Sequence, residues 1–106
     1  RLERAVSIDP TSTYGYYYLA RVKLLRHEMN QAVGFAGRAV ALSGRADRGW
    51  QSRAYTLQGE VFEGVGRYRD ARESYTRALR ADSTNLSARV GLVRVTPSQP
   101  IAPLAE

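Results

Sequence analysis

The segment Arg4-Ala5-Val6-Ser7-Ile8-Asp9-Pro10 recurs as Arg38-Ala39-Val40-Ala41-Leu42-Ser43-Gly44 and again as Arg77-Ala78-Leu79-Arg80-Ala81-Asp82-Ser83, at spacings of 34 and 39 residues. A chain that repeats at this period does not close one core per unit. Each unit has to cover the apolar face of the next, so the core runs along a stack. The 106 residues are therefore better counted as about three such units than as one closed domain.

Each unit reads as helical. The four prolines are Pro10, Pro97, Pro100 and Pro103, so the stretch Thr11–Thr96 contains none and suits continuous helices joined by short turns. In Tyr14–Leu25 the residues Tyr16, Leu19 and Ala20 recur at helical spacing. Glu28–Leu42 repeats the pattern with Met29, Ala32, Val33, Ala36, Ala39 and Val40, and the break between the two falls near His27. A third helix is expected from about Asp47 to Val65, ending at Gly64 and Gly66, and a fourth over Tyr68–Ala81. Arg1–Ile8 reads as the end of an earlier helix and Leu86–Val95 as the start of a later one. Thr96–Glu106 carries three prolines and reads as an extended or disordered tail.

A period of 34 residues made of two helices resembles the tetratricopeptide repeat. In the second unit Tyr55, Gly59, Phe62, Gly66, Tyr68, Ala71, Tyr75 and Ala78 look like that family's signature positions, in register. In the first unit Tyr16, Leu19, Ala20, Ala32 and Ala39 match, while Lys23, His27, Met29 and Ala36 replace an aromatic, the turn glycine and two further aromatics. The resemblance implies an all-α fold of helical hairpins stacked in a right-handed superhelix, an α-solenoid. It divides residues 1–95 into a half repeat 1–10, a repeat 11–44, a repeat 45–83 and a partial repeat 84–95, with 96–106 as the tail. Ala20 and Gly59 are expected where Ala32 and Ala71 approach closely, with Tyr55, Phe62 and Tyr75 filling the space around them. The five extra residues between the units fall at Gly44–Gln51. They are expected to lengthen the first helix of the second unit and to place Trp50 on it, as a staple of the turn between repeats.

The chemistry available is narrow. Without cysteine there is no disulfide, thiolate zinc site or cysteine nucleophile. The one histidine, His27, has no second ligand at metal-binding spacing and reads as an exposed turn residue. Gly34-Phe35-Ala36-Gly37 and Gly64-Val65-Gly66 follow no strand, so packing and turn roles are expected of them rather than phosphate binding. Glu60 and Glu63 lie on one helix with no facing carboxylate across a cleft, and both are expected to be solvated. The expectation is a non-enzyme with no cofactor and no metal.

In the resembled family the first helices of the hairpins line a concave wall that receives an extended peptide or a partner helix. Projected onto this sequence, that wall takes Tyr14, Tyr17, Tyr18, Arg21 and Leu25 from the first unit. The second unit gives Arg53, Thr56, Leu57, Glu60 and Gly64, and the partial third gives Ser87, Val90 and Arg94. Tyrosine with arginine is a composition typical of binding hot spots, although Tyr17 and Tyr18 also suit packing against the neighbouring helix. The lysines and asparagines with which one subclass grips chaperone tails are replaced here by Tyr17, Arg21, Thr56 and Glu60, so no chaperone-tail clamp is expected. Arg21, Arg53 and Arg94 would favour an acidic ligand.

The formal charge is +6, and arginine supplies every basic residue except Lys23. This motivates the alternative of nucleic-acid binding through the arginine surface. The run Arg67, Arg69, Arg72, Arg77 and Arg80 is interleaved with Asp70, Glu73 and Asp82, which argues instead for a solvated outer face. The longest apolar runs fall far short of the roughly 20 residues a membrane-spanning helix needs, so a soluble fragment is expected. The chain starts at Arg1, which reads as a cut from a longer array. Apolar surface at both ends is expected to invite association, including with a second copy. Similar arginine- and alanine-rich repeats occur in bacterial cytoplasmic, periplasmic and lipid-anchored proteins, which leaves the compartment open.

Overall fold

The computed structural model describes residues 12–97. The half repeat expected at 1–10 and all but the first two residues of the tail expected at 96–106 lie outside them. The described residues form five α-helices and no strand: α1 (Thr13–Leu25), α2 (Met29–Leu42), α3 (Arg48–Gly64), α4 (Tyr68–Ala81) and α5 (Leu86–Val95), with a single 3-10 turn at Ser43–Arg45.

Local chemistry sets the ends of these helices. The side chains of Ser12, Asp47 and Asn85 accept from free backbone N–H groups of the first turns of α1, α3 and α5. Two hairpin turns are built alike. Gly66 has φ of +82°, Gly66 N donates to Glu63 O, and Arg67 N donates to Phe62 O at 2.8 Å. His27 has φ of +60°, His27 N donates to Leu24 O, and Glu28 N donates to Lys23 O at 2.9 Å. Both turns satisfy the last carbonyls of the preceding helix through a left-handed residue, but His27 carries a Cβ where that conformation favours glycine. His27→Gly is expected to raise stability by about 0.5–1 kcal/mol, measured by urea unfolding, and Gly66→Ala to lower it by about 1 kcal/mol.

An offset of 39 residues carries α2 onto α4 end for end, and carries α1 onto residues 52–64 of α3. The extra residues between the units therefore do lengthen α3, by the turn that begins at Arg48. The same offset relates two buried hydrogen bonds: Thr13 Oγ1 donates to Ala39 O and Ser52 Oγ donates to Ala78 O, each at 2.7 Å. Helices α1 and α2 pack as one hairpin and α3 and α4 as another. Helix α2 packs on α3, α4 on α5, and the first helices touch one another.

The core sits where three helices meet. Ala20, Ala32 and Ala36 of the first hairpin pack with Leu57 and Val61 of α3. In the second hairpin Ala71, Tyr75 and Ala78 pack with Ala88 and Val95 of α5. Register pairs Ala36 with Tyr75, Ala20 with Gly59 and Leu57 with Gly91. The first junction sets small Ala36 and Ala20 with large Leu57, whereas the second sets large Tyr75 between two glycines. A Cβ on either Gly59 or Gly91 would run into the Tyr75 ring. The close approach expected for Gly59 is thus to Tyr75 rather than to a backbone facing Ala71.

Gly34 and Gly37 correct another expectation, because a Cβ at either would meet nothing within 4 Å. They lie within α2 with no packing role, so Gly34→Ala and Gly37→Ala should each add about 0.5–1 kcal/mol of helix stability by urea unfolding. At the far end, Leu86 and Val93 of α5 are 68% and 72% exposed. Their register equivalents Thr13, Ser52, Ala20 and Gly59 are buried.

Candidate functional site

Helices α1 and α3 run side by side and form a groove of about 560 Å³, closed on one side by the start of α5. Seven of the ten residues projected onto a binding wall line it: Tyr14, Tyr17 and Arg21 from α1, and Arg53, Thr56, Leu57 and Glu60 from α3. Tyr18, Leu25 and Arg94 do not. Tyr18 turns toward the edge of Tyr17, with ring centroids 5.0 Å apart, and Leu25 lies exposed at the end of α1. Of the other positions projected there, Ser87 lines the groove, while Gly64 and Val90 do not.

Trp50 builds the aromatic wall. Its ring lies 4.8 Å from Tyr14, 4.9 Å from Tyr17 and 6.0 Å from Tyr18, centroid to centroid, and the Arg53 guanidinium sits 5.2 Å above it. The expected role as a staple of the inter-repeat turn is therefore corrected: the added turn of α3 carries Trp50 across to α1. Trp50 N closes the Asp47 cap at 2.8 Å, which holds the start of the helix in place. The indole Nε1 is out of solvent and has no acceptor.

Asn85 forms the polar floor. Its Nδ2 donates to Ser52 Oγ at 2.8 Å and to Thr56 Oγ1 at 3.0 Å, while its Oδ1 accepts from Ala88 N at 3.0 Å. One side chain thus caps α5 and ties it to α3. Sequence reasoning passed over this residue, although an asparagine directly before an apolar helix is a capping signal.

The two carboxylates expected in solvent are held instead. Glu63 accepts two bonds from the Arg94 guanidinium, at 2.5 and 2.9 Å, and a third from Tyr75 Oη at 2.8 Å. Arg94 hydrogen bonding holds Glu63 below the ordinary glutamate range, and that same bond raises Arg94 further. Arg94 therefore latches α5 to α3 rather than facing a ligand. Glu60, half-buried in the groove, is pushed above the ordinary range by burial, against the opposing pull of Arg21 and Arg94. The stabilising contribution of Glu63 is complete above its unfolded pKa and is lost as pH falls through its depressed folded value. That of Glu60 has the opposite sign, being complete below its unfolded pKa and lost as pH rises through the folded one. Carbon-detected NMR titration is expected to place the Glu60 midpoint above the Glu63 midpoint.

The arginines on the opposite face are largely engaged. Arg67 pairs with Asp70 at 2.7 Å and lies over the Phe62 ring, and Arg77 pairs with Glu73 at 2.6 Å, as its i, i+4 spacing suggests. Arg72 donates to Val95 O, and Arg48 donates to the carbonyls of Arg80 and Ala81 at the end of α4. Among the described residues, no helix is long and apolar enough to cross a membrane. No family model matches this chain, and no curated protein matches it either.

Proposed function

We propose that this chain is a stretch of a tetratricopeptide-repeat array acting as a non-catalytic interaction module, which takes an extended peptide or a partner helix along the α1–α3 groove and so scaffolds a larger assembly. The fold reading draws support from two hairpins that repeat at a 39-residue offset and share a buried hydroxyl-to-carbonyl bond. The observation that carries the binding reading is the groove's lining, in which the aromatic rings of Tyr14, Tyr17 and Trp50 lie beside the exposed guanidiniums of Arg21 and Arg53. Large rigid rings beside planar donors supply contact area at low entropic cost and favour a ligand bearing carboxylates. The alternative of nucleic-acid binding draws less support, because the arginines of the opposite face are tied to carboxylates and carbonyls rather than forming an open basic stripe.

A peptide selected from a random display library on the full chain provides the test. Tyr17→Ala with Arg21→Ala is expected to weaken its binding at least tenfold, equivalent to about 1.4 kcal/mol. Arg21→Glu with Arg53→Glu spares the packed rings and is expected to do the same for an acidic peptide. Unchanged affinity in both variants, with melting temperatures preserved, sinks the reading.

A further inference from the structure

The prolines of the C-terminal segment, Pro97, Pro100 and Pro103, stand at strict three-residue spacing, and Ile101 and Leu104 repeat the same spacing one position on. Three residues make one turn of polyproline II, so such a strand would carry a proline ridge beside an apolar ridge along its length. Polyproline strands dock in grooves lined by aromatic rings, and their preformed shape reduces the ordering cost of binding. We propose that the segment Pro97–Glu106 lies as a polyproline II strand in the α1–α3 groove of its own chain, with the proline ridge against Tyr14, Tyr17 and Trp50. This rests on the reading of that groove as a peptide-binding surface.

Three observations favour this occupant over another. The first is where the segment starts. Arg94 is bonded to Glu63, one turn beyond Glu60, so the chain leaves α5 beside the Glu60 end of the groove. The second is length. The ten residues of α3 that separate Glu60 from Trp50 span about 15 Å, and the run from Pro97 to Pro103 spans about 19 Å in polyproline II. A strand entering at Glu60 therefore brings its last proline to the Trp50 wall without slack. The third is charge. Glu106 is the one ionisable side chain of the segment, and beyond the last proline the strand arrives where Arg53 lies over Trp50. Tethering raises the local concentration of the segment to about the millimolar range, so a weak docking contact suffices.

The full chain supplies its own reporter, since Trp50 is its single tryptophan. Pro100→Gly with Pro103→Gly removes the ridge and the stiffness of the strand without touching the helices. In this variant Trp50 emission is expected to shift to the red and the indole N–H resonance to move, with helical circular dichroism and melting temperature retained. A synthetic peptide of the sequence Thr96–Glu106, added to the variant, is expected to reverse both changes, and to reverse neither when Tyr14→Ala is also present. If the variant matches the unmodified chain in both signals and the peptide alters neither, the inference is overturned. Binding of display-selected peptides then still decides the groove reading on its own. Trp50 signals that depend on protein concentration, with a doubled mass by light scattering, would put the segment in a neighbouring copy and overturn the intrachain placement.

Discussion

Replacing Tyr75 by alanine is expected to lower the unfolding free energy by about 3–5 kcal/mol, read from urea denaturation of the full chain. Tyr75 is fully buried, and its ring fills the space that Gly59 and Gly91 leave open on the two neighbouring helices. Both neighbours lack side chains that could move into the void, so the cavity would persist rather than collapse, which places the cost toward the upper end. Loss of the hydroxyl adds to it, because Glu63 would lose the bond from Tyr75 Oη while keeping those from Arg94. The first hairpin suggests a compensating change. There, alanine stands at the position of Tyr75 and leucine at that of Gly91, and the junction is closed. Adding Gly91→Leu to Tyr75→Ala is therefore expected to recover about 1–2 kcal/mol, although Gly91→Leu alone destabilises by overpacking. A loss below about 1 kcal/mol for Tyr75→Ala would contradict the wedge that the two glycines define.

Asn85→Ala is expected to cost about 2–3 kcal/mol in the same assay, a large value for a half-buried polar residue. About 1 kcal/mol belongs to the lost cap of α5. The remainder comes from the two bonds that Asn85 Nδ2 gives to Ser52 and Thr56, which tie α5 to α3. Asn85→Asp separates the two parts, since it keeps the capping oxygen and removes the donor. It should fall between alanine and the unmodified chain. Hydrogen exchange in α5 is expected to quicken in Asn85→Ala before exchange in α1 and α2 does, because this latch holds only the last helix.

The helices were legible in the sequence almost to the residue. Their signals are local: apolar spacing, a capping Ser12 or Asp47, and the left-handed positions at His27 and Gly66. Much of the groove was legible as well, because Tyr14, Tyr17 and Arg21 share a helix face by spacing alone. What escaped depends on contacts between helices. Arg94 occupies a groove-facing register position, yet its partner Glu63 sits 31 residues away, and nothing in the linear pattern marks that pair. Trp50 was assigned to the inter-repeat turn because the turn added to α3 shifts where that helix starts relative to α1. Gly59 shows the same dependence. Its smallness was evident, but the ring it admits comes from a residue whose equivalent in the other hairpin is alanine.

The most direct measurement is chemical-shift mapping of the full chain by NMR with a display-selected peptide. Perturbations are expected to concentrate on Tyr14, Tyr17, Arg21, Arg53 and Thr56, with the Trp50 indole N–H among the largest. Perturbations gathered on the outer residues of α2 and α4, such as Arg69 and Arg80, with the groove unchanged, would contradict the assignment of the α1–α3 groove as the interaction surface.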